Sequence, residues 1–145
     1  MSLFLDTGVI VAAVNLRDAN HRPASMLLRG AASGRFGEVI TSDYVFDEAV
    51  TLAFVRTRRA DLAIRVGELI LGTGAPGRLM GMAYVSPRMF LRAWARFQRL
   101  ASRGLSFTDC TSLEIIESMA IDEIASFDRD FDGLIARRPG VEDSD

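Results

Sequence analysis

Short apolar segments alternate with longer helical segments along the chain, and this alternation constrains the fold more than any other feature. Residues 3–5, 38–41, 79–85 and 123–127 have the length and apolar character of buried strands. Strands that alternate with helices favour a mostly parallel sheet covered by helices on both faces. We therefore predict an α/β fold of three layers.

The helical segments are bounded by recognisable starts and stops. Ser42 or Asp43 is a suitable N-cap for the helix after the second strand. Gly104 is a suitable C-terminal stop for the arginine-rich helix predicted over 87–103. We predict helices over 9–15, from Pro23 to about Gly34, over 43–58, from Asp61 onward, over 87–103 and over 109–120. Residues 131–137 are predicted to form a short helix or turn, and Val141 an edge strand.

Size and composition favour one domain over residues 1–141, followed by a short polar tail at 142–145. A hydrophobic fraction of 49% supports a substantial core. The single cysteine, Cys110, excludes an internal disulfide framework and favours a cytoplasmic setting. No apolar stretch approaches the roughly 18 residues of a membrane span, so we expect no membrane association through a spanning helix.

The absent residue types exclude several chemistries. All 17 basic residues are arginine, so neither a P-loop nor a Schiff-base lysine is present. His21, in a polar turn, is the only histidine. A zinc site with several histidine ligands therefore cannot be built within one chain. The 19 acidic residues remain, and any catalysis is expected to use carboxylates.

Four dispersed acids are expected to meet at one edge of the sheet. Asp6 and Asp128 directly follow two apolar strands, and ligands of parallel α/β sheets bind at the carboxyl ends of the strands. Asp109 opens a predicted helix, where the helix dipole favours a carboxylate. Glu48 lies one turn into the helix after the second strand. Each acid also has a plainer interpretation, as a helix cap, a turn residue or an exposed helix residue.

Clustered carboxylates repel one another unless a cation compensates their charge. Mg²⁺ or Mn²⁺ suits such a cluster, since both ions take oxygen ligands. These ions activate water and neutralise phosphodiester charge, which predicts hydrolysis of a phosphate ester. Thr7 is a candidate to orient Asp6 or to contact metal-bound water. Asp130 and Asp132 are expected to be solvated turn acids, with Asp130 the alternative candidate for a fifth ligand, acting through water.

Four segments in order resemble the motifs of the PIN-domain ribonucleases. They are residues 3–10 with Asp6, 42–49 with Glu48, 106–109 with Asp109, and 126–131 with Asp128. The compact length is similar to that of VapC-type toxins within that superfamily. The resemblance implies a Mg²⁺- or Mn²⁺-dependent endoribonuclease that cuts single-stranded regions of structured RNA. It also implies a homodimer and inhibition by a small cognate antitoxin protein.

Arginines recur on one face of the predicted helix over 87–103, opposite an apolar face that is expected to enter the core. A solvated face is the ordinary interpretation of such a stripe. Because no acid lies in this segment, RNA phosphate binding is a second interpretation. The candidate RNA-binding residues are Arg88, Arg92, Arg96 and Arg99. A second basic segment, Arg56, Arg58 and Arg59, is open to antitoxin contact or simple solvation.

Two other functions remain open at this stage. A PIN-like module that binds RNA or protein without turnover would share the fold, although retention of all four acids argues against it. A phosphatase of the haloacid dehalogenase type would share a strand ending in Asp6. That family, however, needs a second acid where this chain has Gly8, and a later lysine that this chain lacks.

Overall fold

The computed structural model describes residues 1–141, in which pairs of α-helices separate the first four of five strands. The predicted tail at 142–145 lies outside the described residues. The strands are β1 (Ser2–Leu5), β2 (Glu38–Ser42), β3 (Gly81–Ala83), β4 (Glu123–Ala125) and β5 (Ala136–Arg138). The α-helices are α1 (Thr7–Val14), α2 (His21–Ala32), α3 (Asp43–Thr57), α4 (Ala60–Leu71), α5 (Pro87–Leu100) and α6 (Phe107–Met119). Two short 3₁₀ turns cover Ala101–Arg103 and Arg129–Phe131.

The five strands form one parallel sheet in the order β3-β2-β1-β4-β5. β1 is central, and its residues Leu3, Phe4 and Leu5 are completely buried, because helices cover both faces of the sheet. The predicted α/β fold with a mostly parallel sheet is therefore confirmed. Since all strands run in the same direction, the residues that follow β1, β2 and β4 meet at one edge.

Several element boundaries differ from the prediction. β3 is confined to Gly81–Ala83, and the last helix begins at Phe107, two residues before Asp109, because Ser106 is its N-cap. The predicted helix or turn over 131–137 is confirmed for residues 131–134, which form the end of a 3₁₀ turn and the turn after it. It is wrong for residues 136 and 137, which belong to the edge strand Ala136–Arg138 paired with β4. The edge strand predicted at Val141 is wrong.

The apolar face predicted for α5 is only partly buried. Ala93 is the one fully enclosed side chain of this helix, while Phe90 and Trp94 are 42% and 49% exposed. An aromatic cluster joins Phe90 and Phe97 to Phe107 of α6, with ring centroids 5.2 Å and 6.4 Å apart. The predicted core role of this face is thus corrected, because α5 packs against α6 at the rim of the molecule. No helix within residues 1–141 is both long and apolar enough to cross a membrane.

Candidate active site

An acidic pocket of about 400 Å³ opens at the carboxyl edge of the sheet. It brings together the four predicted acids, which come from four different elements of the fold. The residues that line it include Asp6, Thr7, Gly8, Asp18, Asn20, Glu48, Arg56, Ser106, Asp109, Phe127 and Asp128. The convergence follows from the parallel sheet, whose strands deliver their following residues to the same edge.

Asp6 is fixed by a serine that the sequence motifs did not single out. It stands at the N-cap position of α1, yet its side chain makes no capping hydrogen bond. Instead the buried Ser126 hydroxyl donates to Asp6 Oδ2 over 2.7 Å. The same Oγ accepts a hydrogen bond from the Asp128 backbone N–H at 3.0 Å. Ser126 therefore connects two acids of the pocket through one side chain.

Asp109 is held by the first turn of α6. Its backbone N–H donates to Ser106 Oγ at 3.0 Å, and its carboxylate Oδ2 accepts from the Ser106 N–H at 2.8 Å. This reciprocal pair is a capping box, with Ser106 as the N-cap. The N-cap of α6 is therefore Ser106 and not Asp109. A helix cap and a site ligand are compatible here, because the capping box engages one of the two carboxylate oxygens.

Two polar atoms at the pocket are buried without a hydrogen-bond partner among the described residues. They are Thr7 Oγ1 and Glu48 Oε2. Buried polar atoms nearly always have a hydrogen-bond partner. Two such atoms without a partner in one pocket therefore need a physical explanation. Both are oxygen atoms, as are all the carboxylate donors around them.

Asp128 begins the 3₁₀ turn after β4, where its Oδ1 accepts from the Asp130 backbone N–H at 2.9 Å. Asp130 itself does not line the pocket. Asp132 forms an ion pair with Arg137 over 2.7 Å. Of the three acids in this turn, only Asp128 therefore belongs to the pocket.

Burial and mutual repulsion make the acids of the pocket difficult to ionise. Burial raises the pKa of Asp6 from 3.8 to about 7, with further increases from the charges of Asp109 and Glu48, while the hydrogen bond from Ser126 opposes the rise. Burial also raises the pKa of Asp109 to about 6, and the charges of Glu48 and Asp128 add to it. The charges of the clustered carboxylates are therefore not fully compensated within the pocket, although Arg56 lines it.

The residues fit a hard divalent cation. The donor set consists of oxygen atoms, it includes two buried atoms without partners, and its charges raise one another's pKa. Within residues 1–141 no three His, Cys, Asp or Glu side chains are close enough together to hold an ion as they stand. One carboxylate oxygen of Asp6 accepts from Ser126, and one of Asp109 accepts from Ser106.

The arginines of α5 lie outside this pocket. Arg96 forms ion pairs with Glu114, at 2.9 Å, and with Glu117, and only 17% of its side chain is exposed. For Arg88, Arg92 and Arg99, contact with RNA stays a prediction. Asp18, Asn20 and Arg56 do line the pocket, although no sequence motif assigned them to it. Only the tertiary structure brings the loop after α1 and the end of α3 to this edge.

Comparison with known proteins places the whole fold in one family. The family model of the PIN domain matches residues 3–134. A curated relative, a VapC ribonuclease of Archaeoglobus fulgidus, is 24% identical over 132 residues, which cover 90% of this chain and 80% of the relative.

Solved structures of similar fold agree with this match. The crystal structure of Mycobacterium tuberculosis VapC20, a toxin that cleaves the sarcin-ricin loop, has a TM-score of 0.76 and 28% identity, with 97% of each chain covered. VapBC2 of Rickettsia felis, bound to a DNA fragment from its promoter, has a TM-score of 0.64 and 13% identity, with 95% of this chain and 98% of that chain covered. The second likeness supports the fold alone.

Proposed function

Because the chain belongs to the PIN domain family, we propose that it is a divalent-metal-dependent endoribonuclease and the toxin of a toxin–antitoxin pair. It hydrolyses phosphodiester bonds of RNA. The observation that carries this conclusion is the convergence of Asp6, Glu48, Asp109 and Asp128 on one pocket. The curated VapC ribonuclease and the VapC20 toxin, both similar over most of the chain, support the substrate class.

Asp6, Glu48, Asp109 and Asp128 are the residues that we propose as the catalytic acids and as the ligands of the cation, which we take to be Mg²⁺ or Mn²⁺. Such an ion, when bound, activates water and neutralises charge on the phosphodiester. The unpartnered Glu48 Oε2 and Thr7 Oγ1 support this assignment, since both are oxygen donors without another partner in the pocket. Asp130, which lies outside the pocket, is not included.

The remaining residues of the pocket have supporting roles in this proposal. Ser126 orients Asp6, and its hydrogen bond favours the ionised carboxylate that a cation requires. Ser106 orients Asp109 in the same way through the capping box. Arg56 provides a positive charge at the rim, where it suits a phosphate group of the substrate.

The family also suggests the partners of this chain. A protein antitoxin is the partner that we propose beside the RNA, because VapC20, which is similar over 97% of each chain, is a toxin. We also propose a homodimer and a cytoplasmic location, and one nuclease domain over residues 1–141.

RNA cleavage in defined metal conditions tests the function. Purified protein is incubated with a structured RNA and Mg²⁺ or Mn²⁺, with EDTA added to a parallel sample. We expect cleavage that requires the ion and is lost in Asp6→Asn. Asp47→Asn is the matched control, because Asp47 is exposed and adjacent to Glu48 but does not line the pocket. Equal cleavage by wild type and Asp6→Asn would show that a contaminant cuts the RNA.

A further inference from the structure

A second cavity, lined by Arg17, Arg56, Arg59 and Arg65, adjoins the acidic pocket. Its volume is about 570 Å³. No acidic side chain of residues 1–141 lines it. We call it the arginine cavity. In a chain of formal net charge −2, such a concentration of one sign marks a site for an anion.

The arginines come from separate parts of the fold. Arg17 lies in the loop after α1, Arg56 in the last turn of α3, and Arg65 in the middle of α4. Arginines at the end of a helix are ordinarily explained by the helix dipole. That explanation covers Arg56, but it does not apply to Arg17 or Arg65, which the tertiary structure brings to the same cavity.

Most of this positive charge has no carboxylate partner. Arg59 forms an exposed ion pair with Asp61 at 2.6 Å. Arg17, Arg56 and Arg65 form no ion pair with any acid among residues 1–141, and all three are exposed. By contrast, Arg96 of α5 is bound by two glutamates. The cavity therefore presents free guanidinium groups, which bind phosphate oxygens in pairs.

Arg56 connects the two sites, because it lines both the arginine cavity and the acidic pocket. An RNA strand whose scissile phosphate lies at the acidic pocket continues beyond the pocket in both directions. The phosphates next along the strand then reach the arginines on the side of Arg56. Leu16, which is 78% exposed, adds an apolar wall against which a base can pack.

We propose that the arginine cavity binds the RNA strand beside the cleavage point, through one or more phosphates that flank the scissile bond. This inference rests on the proposed ribonuclease function. An acidic segment of a protein could meet the same arginines. RNA is favoured because Arg56 lines both sites, so that a strand bound at the acidic pocket extends directly toward the arginine cavity.

Binding of a fluorescent single-stranded RNA, measured by anisotropy in EDTA at several salt concentrations, tests the cavity without cleavage. The variant is the double substitution Arg17→Gln and Arg65→Gln, which leaves Arg56 in place. Arg58→Gln is the matched control, because Arg58 is exposed in the same basic segment but does not line the cavity. Circular dichroism verifies that each variant is folded.

We expect the double variant to bind roughly tenfold more weakly, with a salt dependence shallower by about 0.7 for each phosphate that the protein no longer neutralises. The control should match wild type. Undetectable binding by wild type, or equal affinity and salt dependence in the double variant, would overturn the proposal and leave the cavity to an acidic protein segment. If arginine-dependent binding persists but no metal supports cleavage, the ribonuclease proposal fails, and the cavity stands as an RNA-binding site without an adjacent cleavage point.

Discussion

The Ser126 hydroxyl donates to Asp6 Oδ2 over 2.7 Å, and it accepts from the backbone N–H of Asp128 at 3.0 Å. One buried side chain thereby links the two acids that follow β1 and β4. Because it donates to the carboxylate, Ser126 stabilises the ionised form of Asp6 against the effect of burial. It is a positioning residue of the site, distinct from the acids it aligns.

Ser126→Ala should reduce RNA cleavage by about 10- to 100-fold and move the pH profile of cleavage to higher pH. The shift follows because the pKa of Asp6 rises further once its hydrogen-bond donor is removed. The measurement is the single-turnover cleavage rate at a series of pH values on both sides of neutrality. Ser112→Ala is a control, since Ser112 is equally buried but hydrogen-bonds to the Thr108 carbonyl. An unchanged pH profile in Ser126→Ala would contradict the role of Ser126.

Asp6→Asn should stabilise the metal-free protein at neutral pH. The pKa of Asp6 is about 7 in the folded protein against 3.8 as the ordinary value, so the folded state holds the proton more tightly than the unfolded state. The contribution of Asp6 to the free energy of unfolding is therefore fully present below pH 3.8, and it is lost as the pH rises through about 7. The loss is at most roughly 4 kcal/mol, and asparagine avoids it.

Chemical denaturation at about pH 4.5 and about pH 8, with EDTA, measures this effect. The gain in unfolding free energy for Asp6→Asn over wild type should be larger at the higher pH. Asp47→Asn, at an exposed position, should change stability little at either pH. A destabilised Asp6→Asn at the higher pH would contradict the raised pKa of this buried carboxylate.

Arg96→Gln should destabilise the fold and leave RNA affinity unchanged. Arg96 joins α5 to Glu114 and Glu117 of α6, and Glu114 is only 9% exposed in its side chain. Removing the arginine leaves a buried glutamate without its partner, at a cost of up to about 3 kcal/mol. Arg92→Gln, at an exposed position of the same helix, is the matched control for urea denaturation. Weaker RNA binding by Arg96→Gln with unchanged stability would instead support a phosphate contact.

The strands and the position of Asp6 and Asp128 were predictable because apolar runs identify buried parallel strands, and parallel strands end at one edge. β1 and β4 show this directly, since each is followed within three residues by an acid of the pocket. β5 was not predictable in the same way. Its residues Ala136–Arg138 are short and basic, and they become a strand only through pairing with β4.

The supporting residues of the site show where sequence reasoning stops. Ser126 lies within a predicted motif, yet only the structure shows that it is buried and bonded to Asp6. Its signal in the sequence was a small polar residue among apolar ones at the end of a strand. No such signal in the sequence marks Arg17, Arg56 and Arg65. They lie up to 48 positions apart, and only the packing of α1, α3 and α4 brings them together.

Direct measurement of metal binding tests the central claim, that the four acids form the ligand set of a divalent cation. Mn²⁺ is titrated into wild type, Asp6→Asn, Asp109→Asn and Asp47→Asn by isothermal calorimetry at about pH 6 and about pH 8. Because the ion must displace protons from Asp6 and Asp109, whose pKa values are about 7 and 6, wild type should bind at least roughly tenfold more weakly at the lower pH.

At the higher pH we expect wild type and Asp47→Asn to bind Mn²⁺, and binding to be greatly weakened in Asp6→Asn and Asp109→Asn. Equal Mn²⁺ affinity in all four proteins would contradict the assignment of these acids as the ligands.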